Sequence, residues 1–163
     1  MHLMKKKKLD SSSFDALKLD MAKAYDHVEW VFLELIMDCL GFSRKWIDLI
    51  LQCVTIVTYS FLVNGEVVGN LTLTRGLRRG NLLTSYLFII CSEGFSSLIE
   101  DAEIQGQISG LRCGRYGPRI SHLFFAVDRL FFFRATYNDC SSVRAILDKY
   151  VEASSQMKNR LCV

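Results

Sequence analysis

Proline is nearly missing from this sequence, with one residue in 163, which is low for a globular chain. Paired metal-binding cysteines are missing too. The six cysteines stand at 39, 53, 91, 113, 140 and 162, no two closer than fourteen residues, so there is neither a CxxC pair nor a zinc-ligand Cys/His spacing. Reduced thiols in a cytosolic or nuclear setting follow. A long uncharged apolar run is also lacking. The segment LFFAVDRLFFF (123–133) is too short to span a bilayer and contains Asp128 and Arg129. MHLMKKKKLD opens with the charge of a signal peptide but no apolar stretch follows it. These absences point to an intracellular protein, nuclear or cytoplasmic, that is not secreted and has no membrane partner.

What is present suits one folded domain. Half of the residues are hydrophobic and the mean hydropathy is +0.20, which argues against disorder. A net charge of +3 permits a nucleic-acid partner without arguing for one. Lys5 to Lys8 and Ser11 to Ser13 read as a solvated, flexible leader over residues 1–13, ahead of a domain over 14–163.

Within that domain FDALKLD (14–20) reads as a strand ending at Asp20. A helix is expected over about 28–40, with Phe32, Leu35, Ile36, Cys39 and Leu40 as its face and Gly41 as its stop. Ser43 can cap a second helix whose face is Trp46, Ile47, Ile50, Leu51 and Val54. Residues 55–63 and 66–73 are strand-like and flank the turn Asn64-Gly65. An irregular basic loop is expected over 74–83, then a helix over about 84–101, then a glycine-punctuated region. Strand candidates at 119–126 and 129–135 flank Val127-Asp128, and Asp139 or Ser141 can cap a last helix reaching about Ala153. That order suggests an α+β fold, an antiparallel sheet with helices on one face, rather than a βαβ alternation.

Two acids stand out by position. Asp20 ends an apolar strand and Asp128 sits at the tip of an apolar hairpin. Carboxylates on remote strand ends can converge on Mg²⁺, which prefers oxygen ligands and substrate phosphates. His27 and His122 have no acidic or cysteine partner at ligand spacing and are not catalytic candidates. Phe124, Phe125, Phe131, Phe132 and Phe133 are read as core.

Four segments occur in a recognisable order: KLDMAKAYD (18–26), TRGLRRGNLLTSYLF (74–88), SHLFFAVDRLFFF (121–133) and EASSQMKN (152–159). They resemble motifs A, B, C and D of the reverse transcriptases of LINE-type (non-LTR) retrotransposons, plant elements especially. The linking text HVEWVFLELIMDCLGFSRKWIDLI and YSFLVNGEVVGN is similar to the family's as well, so the resemblance covers about residues 14–160. It implies a polymerase palm-like antiparallel sheet, with fingers and thumb largely absent from this stretch. The implied activity is Mg²⁺-dependent, RNA-directed DNA polymerisation on an RNA template with a DNA primer and dNTPs. By the same resemblance Asp20 and Asp128 are catalytic metal ligands, and Tyr25 is the aromatic gate against a ribose 2′-OH. Lys23, Arg79 and Gly80 lie at the nucleotide, and Asp26 is structural. Apart from the resemblance, Arg75 and Arg78 read either as nucleic-acid phosphate contacts or as a solvated basic loop.

The departures are specific. The family's F-A-D-D is Phe125, Ala126, Val127 and Asp128 here, so the third metal-ligand position holds a valine with no oxygen to offer. Arg79, Asn81, Leu82, Thr84 and Ser85 replace five of the seven residues of Gln-Gly-Asp-Pro-Leu-Ser-Pro, and both prolines go with them. Ser154-Ser155 stands for Ser-Gly, and Cys162 for the expected lysine. A first-shell ligand loss exceeds the ~10–100-fold cost of outer-shell losses, so Mg²⁺ binding should be weakened or lost. The resulting expectation is a fragment of a reverse transcriptase, catalytically inactive. The alternatives are a non-catalytic nucleic-acid-binding palm and a non-functional pseudogene product.

Overall fold

In strand β1 (Phe14–Asp20) the half-buried Leu17 and Leu19 alternate with the exposed Lys18, which is the period-two pattern of a strand with one face on a core. In the computed structural model, which describes residues 14–20, 25–78, 80, 82–125 and 128–154, this strand forms one edge of a three-stranded antiparallel sheet. Its neighbour β7 (Asp128–Arg134) runs down the middle, and β6 (His122–Phe125) is the other edge. The β1–β7 register runs from Phe14 opposite Arg134 to Asp20 opposite Asp128. Along β7, burial alternates residue by residue: Arg129, Phe131 and Phe133 are buried, and the residues between them only partly. The aromatic run is therefore split between two faces. Phe131, Phe133 and Phe124 face the core, whereas Phe125 is 82% exposed, so it is not the core residue its composition suggests.

Among the described residues the helices pack on the face of the sheet that carries Arg129, Phe131 and Phe133. The 23-residue α3 (Leu82–Ile104) is the centre of the core, with Leu87, Phe88, Cys91, Phe95 and Ile99 buried. It packs between α1 (Trp30–Cys39) and α4 (Tyr137–Ser154), and α4 touches β7. A second helix, α2 (Arg44–Thr55), packs on α1 and contributes Ile47 and Ile50. Helices thus sit beside antiparallel sheets, and the fold is α+β. Among the described residues α3 alone is long and apolar enough to cross a membrane, and its apolar side is occupied by this core.

Several local expectations shift. α1 buries Phe32, Leu33 and Met37, while Leu35 is 58% and Leu40 48% exposed, because a helix apolar on most sides offers two overlapping stripes and tertiary packing selects one. Ser43 is at the N-cap of α2 with extended backbone, but its hydroxyl makes no capping bond, and Trp46 is half exposed. α4 starts earlier than expected. Thr136 Oγ1 accepts the Asp139 N–H at 3.1 Å, so Thr136 supplies the cap and Asp139 lies inside the first turn. Two short hairpins complete the fold: β2 (Thr58–Val63) with β3 (Glu66–Thr72), and β4 (Leu111–Arg112) with β5 (Arg119–Ile120). Asn64 and Gly65 turn the first at φ of 52° and 87°, as an Asn-Gly hairpin requires. Residues 1–13 fall outside the described residues.

Candidate active site

The two acids that the sequence singles out come together. Asp20, the last residue of β1, is directly opposite Asp128, the first residue of β7. Cα atoms of such antiparallel partners lie ~4.5–5.5 Å apart. Asp128 closes the β6–β7 hairpin as the first residue of β7, paired on its other side with Phe125 of β6. Ala126 and Val127, which join β6 to β7, lie outside the described residues, as do Lys23 and Arg79.

A cation already occupies this end of the sheet. Lys18 Nζ donates to Asp128 Oδ2 at 2.9 Å, with both side chains 43% exposed. Sequence reasoning missed this partner, although Lys18 and Asp20 are two apart and so share a strand face. Of the residues that the resemblance assigns to Mg²⁺, Asp128 is engaged by this ammonium, and Val127, outside the described residues, has no oxygen to offer. No cluster of three His, Cys, Asp or Glu side chains able to hold a metal occurs among the described residues.

An open cleft of ≈ 580 Å³ lies between α3 and β6, and Asp128 does not line it, though its ladder partner Phe125 does. Tyr25 and Phe125 line it, with Phe88, Phe124 and a row of hydroxyls from Ser85, Ser92 and Ser96. The half-buried Tyr25 ring packs 4.5 Å from the Phe88 ring, centroid to centroid. Its backbone is fastened to the second motif: Leu77 N–H donates to Tyr25 O at 2.8 Å, and Gly76 N–H to Val28 O at 2.8 Å. Gly76 is needed there. Its φ is +92°, and a Cβ would meet Asp26 O at 2.9 Å. Gly80, also in the left-handed region at +85°, has open space around it.

The basic loop is only partly free. Arg75 Nη1 lies 3.3 Å from Glu29 Oε1, so its charge is shared with the head of α1, whereas Arg78 is exposed. Leu82 and Ser85, where the resemblance would place prolines, belong to the first turn of α3 rather than to the loop, since the helix begins two residues before the expected Thr84.

His122 is held by two hydroxyls, Ser96 Oγ at 2.9 Å and Ser121 Oγ at 3.1 Å, and burial lowers its pKa below the ordinary 6.5. Burial likewise pushes the Cys91 thiol up to about 12.

The most unusual buried group is Arg129. It is completely buried, with its Cζ 4.9–5.8 Å from the ring centroids of Phe88, Phe95, Phe124 and Tyr150. Nη2 donates to Ser92 Oγ at 3.3 Å and to Tyr150 Oη at 3.5 Å, both long. Nε and Nη1 have no partner among the described residues. The signal for its burial was in the sequence, since Arg129, Phe131 and Phe133 share one strand face.

No family model matches the chain. Over 68 residues, 42% of the chain, it is 47% identical to an uncharacterized mitochondrial protein of Arabidopsis thaliana. The chain spans 56% of that relative's length.

Proposed function

We propose that this chain is the palm portion of a reverse transcriptase of the LINE-type (non-LTR) retrotransposon class, and that it is catalytically silent. The observation that favours this reading is the direct pairing of Asp20 with Asp128, the two acids contributed by motif-like segments far apart in the sequence. A palm uses such strand ends to present carboxylates to metal ions and an incoming triphosphate. Tyr25, five residues beyond Asp20, lines the cleft between α3 and β6, as a nucleotide gate should. Template RNA, primer DNA and dNTP are the partners of that ancestral activity, Mg²⁺ its cofactor, and an intracellular site, nuclear or cytoplasmic, its setting.

Silence follows from the donor set. In-line attack of a primer hydroxyl on a phosphate relies on two metals held by shared carboxylates, one on the attacking and one on the leaving oxygen. Val127 supplies no ligand, and Lys18 competes for Asp128. Arg79 adds a permanent charge where the family has a glutamine that contacts the nucleotide. Primer extension by oligo(dT) on poly(rA) with Mg²⁺ or Mn²⁺ tests the proposal. No extension is expected, and extension abolished by Asp20→Ala would overturn it. Salt-dependent binding to an RNA–DNA duplex separates a surviving nucleic-acid-binding palm from a remnant without function. The exposed Arg78 is the first residue to mutate in that assay.

A further inference from the structure

Like charges directly opposite each other in an antiparallel ladder destabilise it, and Asp20 and Asp128 are such a pair by register. Lys18 stands opposite Leu130, one pairing step along the same strand face from Asp20 and Asp128. From there its ammonium makes a 2.9 Å contact with Asp128. We propose that Lys18 is the resident counter-ion of the Asp20/Asp128 pair, so that this end of the sheet is balanced without a divalent cation. The inference rests on the reading of Asp20 and Asp128 as former metal ligands, but it concerns how the charge of the pair is balanced, not whether DNA is made.

The chemistry gives the sign of the effect. An ammonium is a single compact charge on a flexible stem, and any divalent ion must displace it from Asp128. At water-like dielectric a unit charge a few ångströms from a dication changes the ion's affinity by roughly tenfold or more. Both partners are 43% exposed, so Lys18 can be replaced without leaving a buried charge behind. Removing it should expose the carboxylate repulsion and open the pair to a divalent ion.

Thermal unfolding of the whole chain at low salt, with and without MnCl₂, tests this. Lys18→Met is expected to melt about 1–3 °C lower than the parent and to recover that loss when Mn²⁺ is added. The parent and Lys18→Arg should show no response to Mn²⁺. Lys18→Met combined with Asp128→Asn should recover the melting temperature and lose the response. If Lys18→Met does not fold, Lys18→Gln serves in its place with the same expected pattern. A parent stabilised by Mn²⁺ as strongly as Lys18→Met, or a Lys18→Met chain indifferent to Mn²⁺, would overturn the proposal. Neither outcome bears on primer extension, so failure here and failure of the polymerase reading remain distinguishable.

Discussion

Replacing Arg129 with methionine should stabilise this protein, although the change removes four aromatic contacts to a cation. The guanidinium is fully buried, and no carboxylate lies within ion-pair distance among the described residues. Its Nε and Nη1 make no hydrogen bond, and each unsatisfied buried polar group costs about 1–3 kcal/mol. Against this, stacking on the rings of Phe88, Phe95, Phe124 and Tyr150 returns about 1–2 kcal/mol, because one charge shared among several rings does not gain from each in full. Methionine is unbranched, adapts to an irregular space, and contributes about 1.5–3 kcal/mol by its own burial. Replacing buried ionic groups by well-packed apolar ones has stabilised other folds by about 1–4 kcal/mol. A gain of about 2–4 kcal/mol is therefore expected here, raising the melting temperature by roughly 5–15 °C. Urea denaturation followed by far-UV circular dichroism measures it, with Arg129→Lys as the control that keeps the charge and loses the planar stacking. Arg129→Lys should lose stability. If Arg129→Met instead loses more than about 1 kcal/mol at an unchanged urea slope, the guanidinium is satisfied in solution and the reasoning fails.

Three other perturbations have definite signs. In the native protein the exposed Cys39, Cys53, Cys113 and Cys140 should react with a thiol reagent, while Cys91, buried and with its pKa pushed up to about 12, should react only on unfolding; mass spectrometry of the alkylated chain reads this directly. His122 is held neutral by burial, so the unfolded chain takes up its proton first and stability should fall as pH drops below 6.5; His122→Gln should flatten that part of a stability-versus-pH curve. Gly76→Ala combines a left-handed φ with a Cβ 2.9 Å from Asp26 O, and should cost about 1–3 kcal/mol in the same denaturation assay.

How much of this was legible in the sequence depends on how local each signal is. β1 ending at Asp20, the Asn64-Gly65 turn and the long core helix α3 are set by short-range chemistry, and all three were expected close to where they lie. The face of α1 was not, because Leu35 and Leu40 are as apolar as Leu33 and Met37, and only contact with α3 decides between them. The α4 cap was missed by three residues, since Thr136, Asp139 and Ser141 are all competent and only geometry selects Thr136. At the candidate site, the positions of Asp20 and Asp128 followed from strand ends, but their partners are tertiary. Lys18 reaches Asp128 across 110 residues of sequence, and Arg75 reaches Glu29 across 46. Arg129 looked like a charge that merely interrupts an apolar run, and only the strand's alternation shows that it must point inward.

The central claim is that Asp20, position 127 and Asp128 form the remains of a metal-binding triad. Calorimetric titration of Val127→Asp with Mn²⁺ and Mg²⁺ tests it most directly. The account predicts binding about tenfold or more tighter than in the parent chain, lost again when Asp20→Ala is added, and still no primer extension, because Arg79 and the substituted second motif persist. An acid at position 127 that brings no gain in divalent binding, or a gain indifferent to Asp20, would contradict the palm assignment. Full primer extension from that one substitution would contradict the claim that the second motif has decayed.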